Sequence, residues 1–407
     1  MSSPPGTRAG GAPAEVLAMV RLLWPQADVA APARGLPGRA RRHPGALLPL
    51  PSAADPRLLV PADNRRAAAA ALRQHAHRAG LADRLRAGAL SLALRSGVAQ
   101  VALRDRVDVG ADPGILGQLA AVLGQPVLAS VQLGRARANR KPVLAIHASD
   151  GRLLGYAKVG VSPLTDRLVR AEGAALHRLG TAGLRAVRAP EPLYAGTWQD
   201  LPILVQSALP VQAGPVPAAR LAAATAEVAD LDRVDGVPLR NTPYWSRLGE
   251  RIARLPDGPV AAQLSATLTG LHEVARDSAL DTGSWHGDWT PWNMSALPEG
   301  VAAWDWERFT GGVPRGFDAL HHDLHEDLIV RRTDPTTAAA GCVARAAATL
   351  RALGVTTDAA ALTALGYLTE IATRYTEDGQ AAAGSRLGRV EDWLLPTLTT
   401  NLGRMAR

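Results

Sequence analysis

Two periodicities organise the hydrophobic positions of this chain. In its middle part, short apolar runs bounded by Gly, Pro and polar residues read as strands over 126–133, 142–148, 153–159 and 201–210. Between the third and fourth runs, Leu168, Ala171, Ala175, Leu176 and Leu179 form one helical stripe. Further on, helical spacing takes over and predicts helices at 218–231, 244–255, 260–279, 317–329, 336–353, 358–375 and 386–405. Upstream, 57–60 and 98–104 read as strands, and 66–78, 83–95 and 114–123 as helices. The pattern predicts an α+β protein with a mainly β lobe at 121–210 and a mainly helical lobe at 211–407. An α/β extension over 14–120 precedes them. Residues 1–13, rich in Gly, Pro, Ser and Ala, read as a disordered tail.

One polar segment breaks the helical part of the pattern. His286-Gly287-Asp288-Trp289-Thr290-Pro291-Trp292-Asn293 follows a short run ending at Trp285. Gly287 permits a tight turn and Pro291 forbids a helix interior, so Asp288 lies on a rigid loop. Pro298-Glu299-Gly300 then reads as a turn, and Val301 to Trp304 as an apolar strand ending at Asp305. A hairpin would bring Asn293 and Asp305 together. Phosphoryl transfer needs such a set: a carboxylate (Asp288) to take the proton of an attacking hydroxyl, and two oxygen ligands (Asn293, Asp305) to hold Mg²⁺ on the nucleotide phosphates.

In these two motifs the chain resembles the aminoglycoside phosphotransferase-like family of small-molecule kinases, relatives of the protein kinases. The family carries H-G-D-x-x-x-x-N, present as His286 to Asn293, and an apolar strand ending in I-D-W-E or a variant, present as Ala303-Trp304-Asp305-Trp306-Glu307. The resemblance implies a protein-kinase-like two-lobed fold, ATP (GTP possible) and Mg²⁺ as cofactors, and a small-molecule hydroxyl as acceptor. It implies Asp288 as base, Asn293 and Asp305 as metal ligands, and Asp318 as the anchor of the catalytic loop. Lys158 and Lys141 are the only lysines among 45 basic residues, and Lys158 sits in a strand followed by Glu172 on a helix. In kinase folds such a pair holds the α- and β-phosphates. The run 201–210 leads into a connector that in the family is the hinge whose backbone meets the purine edge, with Gln206 to Leu209 as candidates and Ser207 the nominal one. The family's glycine-rich phosphate loop is not matched: 134–141 has one glycine, with Arg135, Arg137, Arg140 and Lys141 as candidate charge.

Composition narrows the alternatives. Cys342 is the only cysteine, which excludes an intrachain disulfide and a cysteine metal cluster. No run of eighteen apolar residues occurs, so no membrane partner is expected and a cytoplasmic location is the default. Residues 1–210 hold 27 basic and 13 acidic side chains, and 211–407 hold 18 and 24. A basic nucleotide lobe and an acidic acceptor lobe suit ATP on one side and an aminated, hydroxylated acceptor on the other, with Asp281, Glu299, Asp323, Glu326 and Asp327 as candidate lining. The basic half equally suits a polyanion-binding protein, but no nucleic-acid-binding motif accompanies it, so nucleic acid is not an expected partner. A pseudokinase is the nearer alternative, because the phosphate loop is degenerate. His321 and His325 share a helix face at a spacing that permits metal binding, although H-E-x-x-H is absent.

Overall fold

The computed structural model describes residues 14–27, 45–76, 81–98, 103, 105–134, 137–212, 214–276 and 278–407. The chain divides into two compact units: residues 1–135, 141–169 and 192–208, and residues 136–140, 170–191 and 209–407. The first is built on a sheet and the second mainly on helices, the α+β architecture expected from the pattern.

The first unit holds a seven-stranded antiparallel sheet in the order β1-β2-β3-β4-β5-β8-β7. Its strands are β1 (Leu47–Leu50), β2 (Leu58–Pro61), β3 (Leu128–Gln132), β4 (Val143–His147), β5 (Leu153–Val159), β7 (Pro192–Trp198) and β8 (Leu201–Ser207). On one face, Val131, Leu144, Ala157 and Val205 pack against α1 (Ala14–Leu23) and α4 (Gly114–Leu123). Leu58, Val60 and Leu48, on β2 and β1, pack instead under α2 (Arg65–Ala76) and α3 (Leu81–Ser96). The N-terminal extension therefore adds two strands to the edge of the sheet at β3. Of the strand expected at 98–104, Val98 is helical and residues 99–102 and 104 lie outside the described residues, as does the tail 1–13.

Helix α5 (Pro163–Thr181) has its first turns in the first unit and the rest in the second. In the second unit, β6 (Val187–Arg188) pairs with β12 (Val301–Ala303), which pairs with β11 (Met294–Ala296). A second small sheet orders β13 (Thr310–Pro314), β10 (Ala279–Trp285) and β9 (Val234–Pro238). Around them lie α6 (Ala218–Ala229), α7 (Pro243–Ala253), α8 (Pro259–Ala275), α9 (Phe317–His325), α10 (Pro335–Leu350), α11 (Thr357–Glu377) and α12 (Leu394–Met405). Several of these helices start where side-chain caps allow. Thr242, Asp334 and Thr356 accept from Trp245 N, Thr337 N and Ala359 N, with proline in the first turn of α7 and α10. Helix α11 is buried on every face from Leu362 to Arg374, so it is the axis of the helical core. Each large-to-small change in such a helix costs roughly 2–5 kcal/mol.

Three expected helices end differently. Residues 260–279 are helical only to Ala275, and Ala279 begins β10, because Arg276 at φ 42° breaks the helix. Residues 317–329 are α-helical to His325 and close in a π-turn at Glu326–Val330. Residues 386–393 form two 3₁₀ turns, and the α-helix starts at Leu394.

Candidate active site

The loop after β10 is held from several sides. Asp318, in the first turn of α9, accepts from His286 N (2.6 Å) and Gly287 N (3.1 Å). It is thus the anchor that the resemblance implied. Arg374 of α11 donates to the Gly287 carbonyl at 2.6 Å, and Trp289 Nε1 donates to Thr225 of α6 at 2.9 Å. Gly287 has φ 83°, and a Cβ there would lie 2.6 Å from the carbonyl oxygen of Arg308. A side chain at this position would push the loop off the turn that follows Asp305.

His286 joins the two motifs. Its Nδ1 accepts from Asp288 N (3.1 Å) and its Nε2 donates to the Trp304 carbonyl (3.0 Å), which assigns the Nε2–H tautomer. The ring packs against Trp306 and Trp289, with centroids at 4.4 and 5.4 Å. Trp285, Trp289 and Trp306 are buried, so most of the tryptophans crowding the motif are core.

The β11–β12 hairpin forms with the turn where it was expected, Met294 opposite Ala303. Trp304 N donates to the Asn293 carbonyl at 3.1 Å, which places Asn293 beside the residue preceding Asp305. Asn293 Nδ2 donates to Asp288 Oδ2 (2.8 Å) and to the Asp288 carbonyl (3.1 Å). Asp305 has φ 73°, a left-handed conformation uncommon outside glycine but tolerated by Asp. Its carboxylate lies within 4.8 Å of those of Glu172 and Glu307. Glu172 and Glu307 are both buried. These hard oxygen donors, with Asn293 one hairpin position away, suit Mg²⁺.

Asp288 Oδ1 accepts from His321 Nε2 at 3.2 Å, and the side chain remains 37% exposed. Burial opposes its ionisation, but the His321 hydrogen bond, with His321, His325 and Arg374 nearby, holds its carboxyl well below the usual carboxylate range. Burial pushes His321 well below the usual histidine range, reinforced by His325. We take the pair as ionised Asp288 with neutral His321. Burial also raises Asp318 to about 7 against its two backbone donors, and lowers His325 to about 4.

Lys158 and Ser207 lie in the first unit, whereas Glu172, Asp288, Asn293 and Asp305 lie in the second. Lys158 is buried on β5, paired in register with Val143 and Leu204. Ser207 ends β8 opposite Gly155. In the expected phosphate loop, Arg135 falls outside the described residues, and Arg137 to Arg140 form a turn closed by Arg140 N on the Arg137 carbonyl.

Two expectations are corrected by the side-chain pairing. Four of the acidic residues proposed to line an acceptor cleft are bound to arginines: Asp281 to Arg233, Asp323 to Arg345, Asp327 to Arg331 and Arg345, and Glu326 to Arg331. Glu299 lies at a pocket with Arg185, Val187 and Gln212. The His321–His325 face is no metal site either. The rings stack at 4.0 Å, and every ring nitrogen is engaged: His321 by Asp288 and Tyr367, His325 by the His321 carbonyl and Tyr375. Arg374 and Tyr367 were missed because they sit in a run of ordinary helical spacing. A buried arginine inside an apolar helix was the available signal.

No family model and no curated protein matches the chain. Among solved structures it is similar to aminoglycoside phosphotransferase APH(4)-Ia, at 13% identity over 72% of this chain and 98% of that one, with TM-score 0.46. It is also similar to choline kinase LicA from Streptococcus pneumoniae (12% identity, 71% and 98% covered, TM-score 0.47) and to a putative fructosamine-3-kinase from Haemophilus somnus (12%, 72% and 97%, TM-score 0.41).

Proposed function

We propose that this chain, whose two motifs resemble those of the aminoglycoside phosphotransferase-like small-molecule kinases, is an ATP-dependent phosphotransferase that moves the γ-phosphoryl group to a hydroxyl of a small molecule. The observation that carries this reading is the Asp288 carboxylate, ionised, partly exposed and held by Asn293 and His321 at the tip of an anchored loop. In the proposed reaction the acceptor oxygen attacks the γ-phosphorus, its proton passes to an Asp288 oxygen, and the bond to the leaving nucleoside diphosphate breaks. Asn293 and Asp305 would hold Mg²⁺, with Glu172 and Glu307 close to Asp305. The ion would supply positive charge against the developing phosphate charge. Lys158 is proposed to neutralise the α- and β-phosphates, and the backbone around Ser207 to meet the purine.

Since the acidic residues near the helical motifs are paired with arginines, the reading does not require a polycationic acceptor. Several hydroxylated metabolites fit it equally. The test is ADP release by wild type and Asp288→Asn with Mg²⁺ and ATP. Turnover should fall about 10²–10⁴-fold in the variant, with the nucleotide KM little changed. Equal turnover in the two proteins would remove Asp288 from the role of base.

A further inference from the structure

Behind Asp288 stands a set of side chains that the phosphotransferase scheme does not use. His321 is fully buried on α9, and Tyr367, also fully buried, faces it from α11. Tyr367 Oη lies 3.0 Å from His321 Nδ1, and His321 Nε2 lies 3.2 Å from Asp288 Oδ1. The roles follow from what each atom can do. An ionised carboxylate only accepts, so Nε2 carries the proton and Nδ1 carries the lone pair. Tyr367 must then donate. Both hydrogens in the chain point towards Asp288.

The carboxylate is therefore gripped from two directions. Asn293 Nδ2 holds Oδ2 at 2.8 Å from the β11 side, and His321 Nε2 holds Oδ1 from α9. A lone aspartate at a loop tip rotates about its side-chain torsions; this one has both oxygens fixed. Each oxygen keeps a lone pair that can accept a proton. We infer that His321 is the positioning residue of the active site: it fixes the plane of the Asp288 carboxylate, whose acceptor-only oxygens set the Nε2–H tautomer, and Tyr367 holds the ring at Nδ1. The inference rests on Asp288 being the base of a phosphotransferase.

His321 does not store the transferred proton. Its Nε2 already carries one, and the Tyr367 hydroxyl occupies Nδ1, so a proton on Asp288 has no empty site on the ring to enter. The role is orientation, as with other buried residues that aim a catalytic group. His325 continues the arrangement. Its Nδ1 donates to the His321 carbonyl at 3.0 Å, and its ring stacks on that of His321. The stacking packs one face of the buried His321 ring.

The test uses the full chain with Mg²⁺ and ATP, measuring ADP release and the ¹⁵N shifts of the His321 imidazole. His321→Leu removes the donor, and His321→Gln keeps an N–H on a side chain of similar reach. Expected is a fall in kcat of about 10–100-fold in His321→Leu, with nucleotide KM unchanged and much of the rate restored in His321→Gln. A merely structural role would give neither the rescue nor the split between kcat and KM. The ¹⁵N shifts should report Nε2–H in wild type and also in Tyr367→Phe, because the Asp288 carboxylate dictates that form. Wild-type turnover that is unmoved in His321→Leu overturns the inference alone, as does an Nδ1–H tautomer in wild type. No ADP release and no nucleotide-dependent stabilisation in wild type is the separate failure of the phosphotransferase reading, and it takes the inference with it.

Discussion

Buried polar groups fare differently around Asp288 and in the sheet of the first unit. Around Asp288 in the second unit, Asp318, His321, His325 and Arg374 all have hydrogen-bond partners of suitable geometry. In the first unit, Ser130 Oγ and Gln206 Oε1 are buried without one among the described residues. These two share a single cross-strand row: Ser130 pairs with Ala145, Ala145 with Tyr156, and Tyr156 with Gln206. An unmade hydrogen bond costs about 1–3 kcal/mol, so the difference is not cosmetic. The polar shell around Asp288 is organised to hold particular atoms in place, although Thr373 Oγ1, next to Arg374, is buried without a partner among the described residues. The polar interior of the first unit is tolerated by a sheet whose stability comes from its ladders and its apolar faces.

The largest test of this contrast in stability is Asp318→Ala. It strands two buried N–H groups at His286 and Gly287 and should destabilise the chain by roughly 2–5 kcal/mol in equilibrium denaturation. A loss below about 1 kcal/mol would mean that Arg374 and Trp289 hold the loop without it.

A smaller effect is expected from pH. His325 is pushed from its ordinary 6.5 down to about 4, so the folded chain refuses a proton that the unfolded chain accepts. Stability from this group is lost as pH falls from 6.5 towards 4. Asp318, raised to about 7, acts in the opposite sense: its contribution is present below the unfolded value near 4 and lost as pH rises to about 7. Comparison with His325→Asn cancels the Asp318 contribution. The stability of that variant relative to wild type should rise by at most roughly 3 kcal/mol between pH 6.5 and 4. A pH-independent difference in melting temperature would contradict the assignment of a neutral, buried His325.

The smallest pair sets one unit against the other. Tyr367→Phe removes a hydroxyl that is bonded to His321 and should cost about 1–2 kcal/mol. Ser130→Ala removes a buried hydroxyl without a partner and should lie within about 0.5 kcal/mol of zero, or stabilise slightly. Equal losses for the two would erase the contrast.

Much of this site was legible in the sequence because it is local. His286, Asp288 and Asn293 fall within one loop, and Gly300 and Asp305 mark the hairpin that returns beside them. What was not legible arrives from a distance. Arg374 and Tyr367 come from a helix whose spacing looks like ordinary core, and no local signal links them to residue 288. The pairing of the acidic residues was hidden for a related reason: the arginines that pair with Asp323 and Asp327 include Arg345, one helix away. In the fold, α11 and strands β2, β3, β4, β5 and β8 were clear from the pattern, whereas β1 was not foreseen. Strand β7 escaped notice because its alternating exposure gives it no continuous apolar run. The short β6 and β9 carry too few residues for a pattern.

The central claim is that Asp288, Asn293 and Asp305 form a site for a metal-bound nucleotide. Its most direct test is thermal denaturation with ATP and with GTP, each with and without Mg²⁺, on wild type, Asp288→Asn and Asp305→Ala. A nucleotide at about 100 times its Kd should stabilise wild type by roughly 2.7 kcal/mol. The account predicts that this rise needs Mg²⁺, survives in Asp288→Asn and disappears in Asp305→Ala. No rise with either nucleotide, or a rise of equal size in Asp305→Ala, would contradict it.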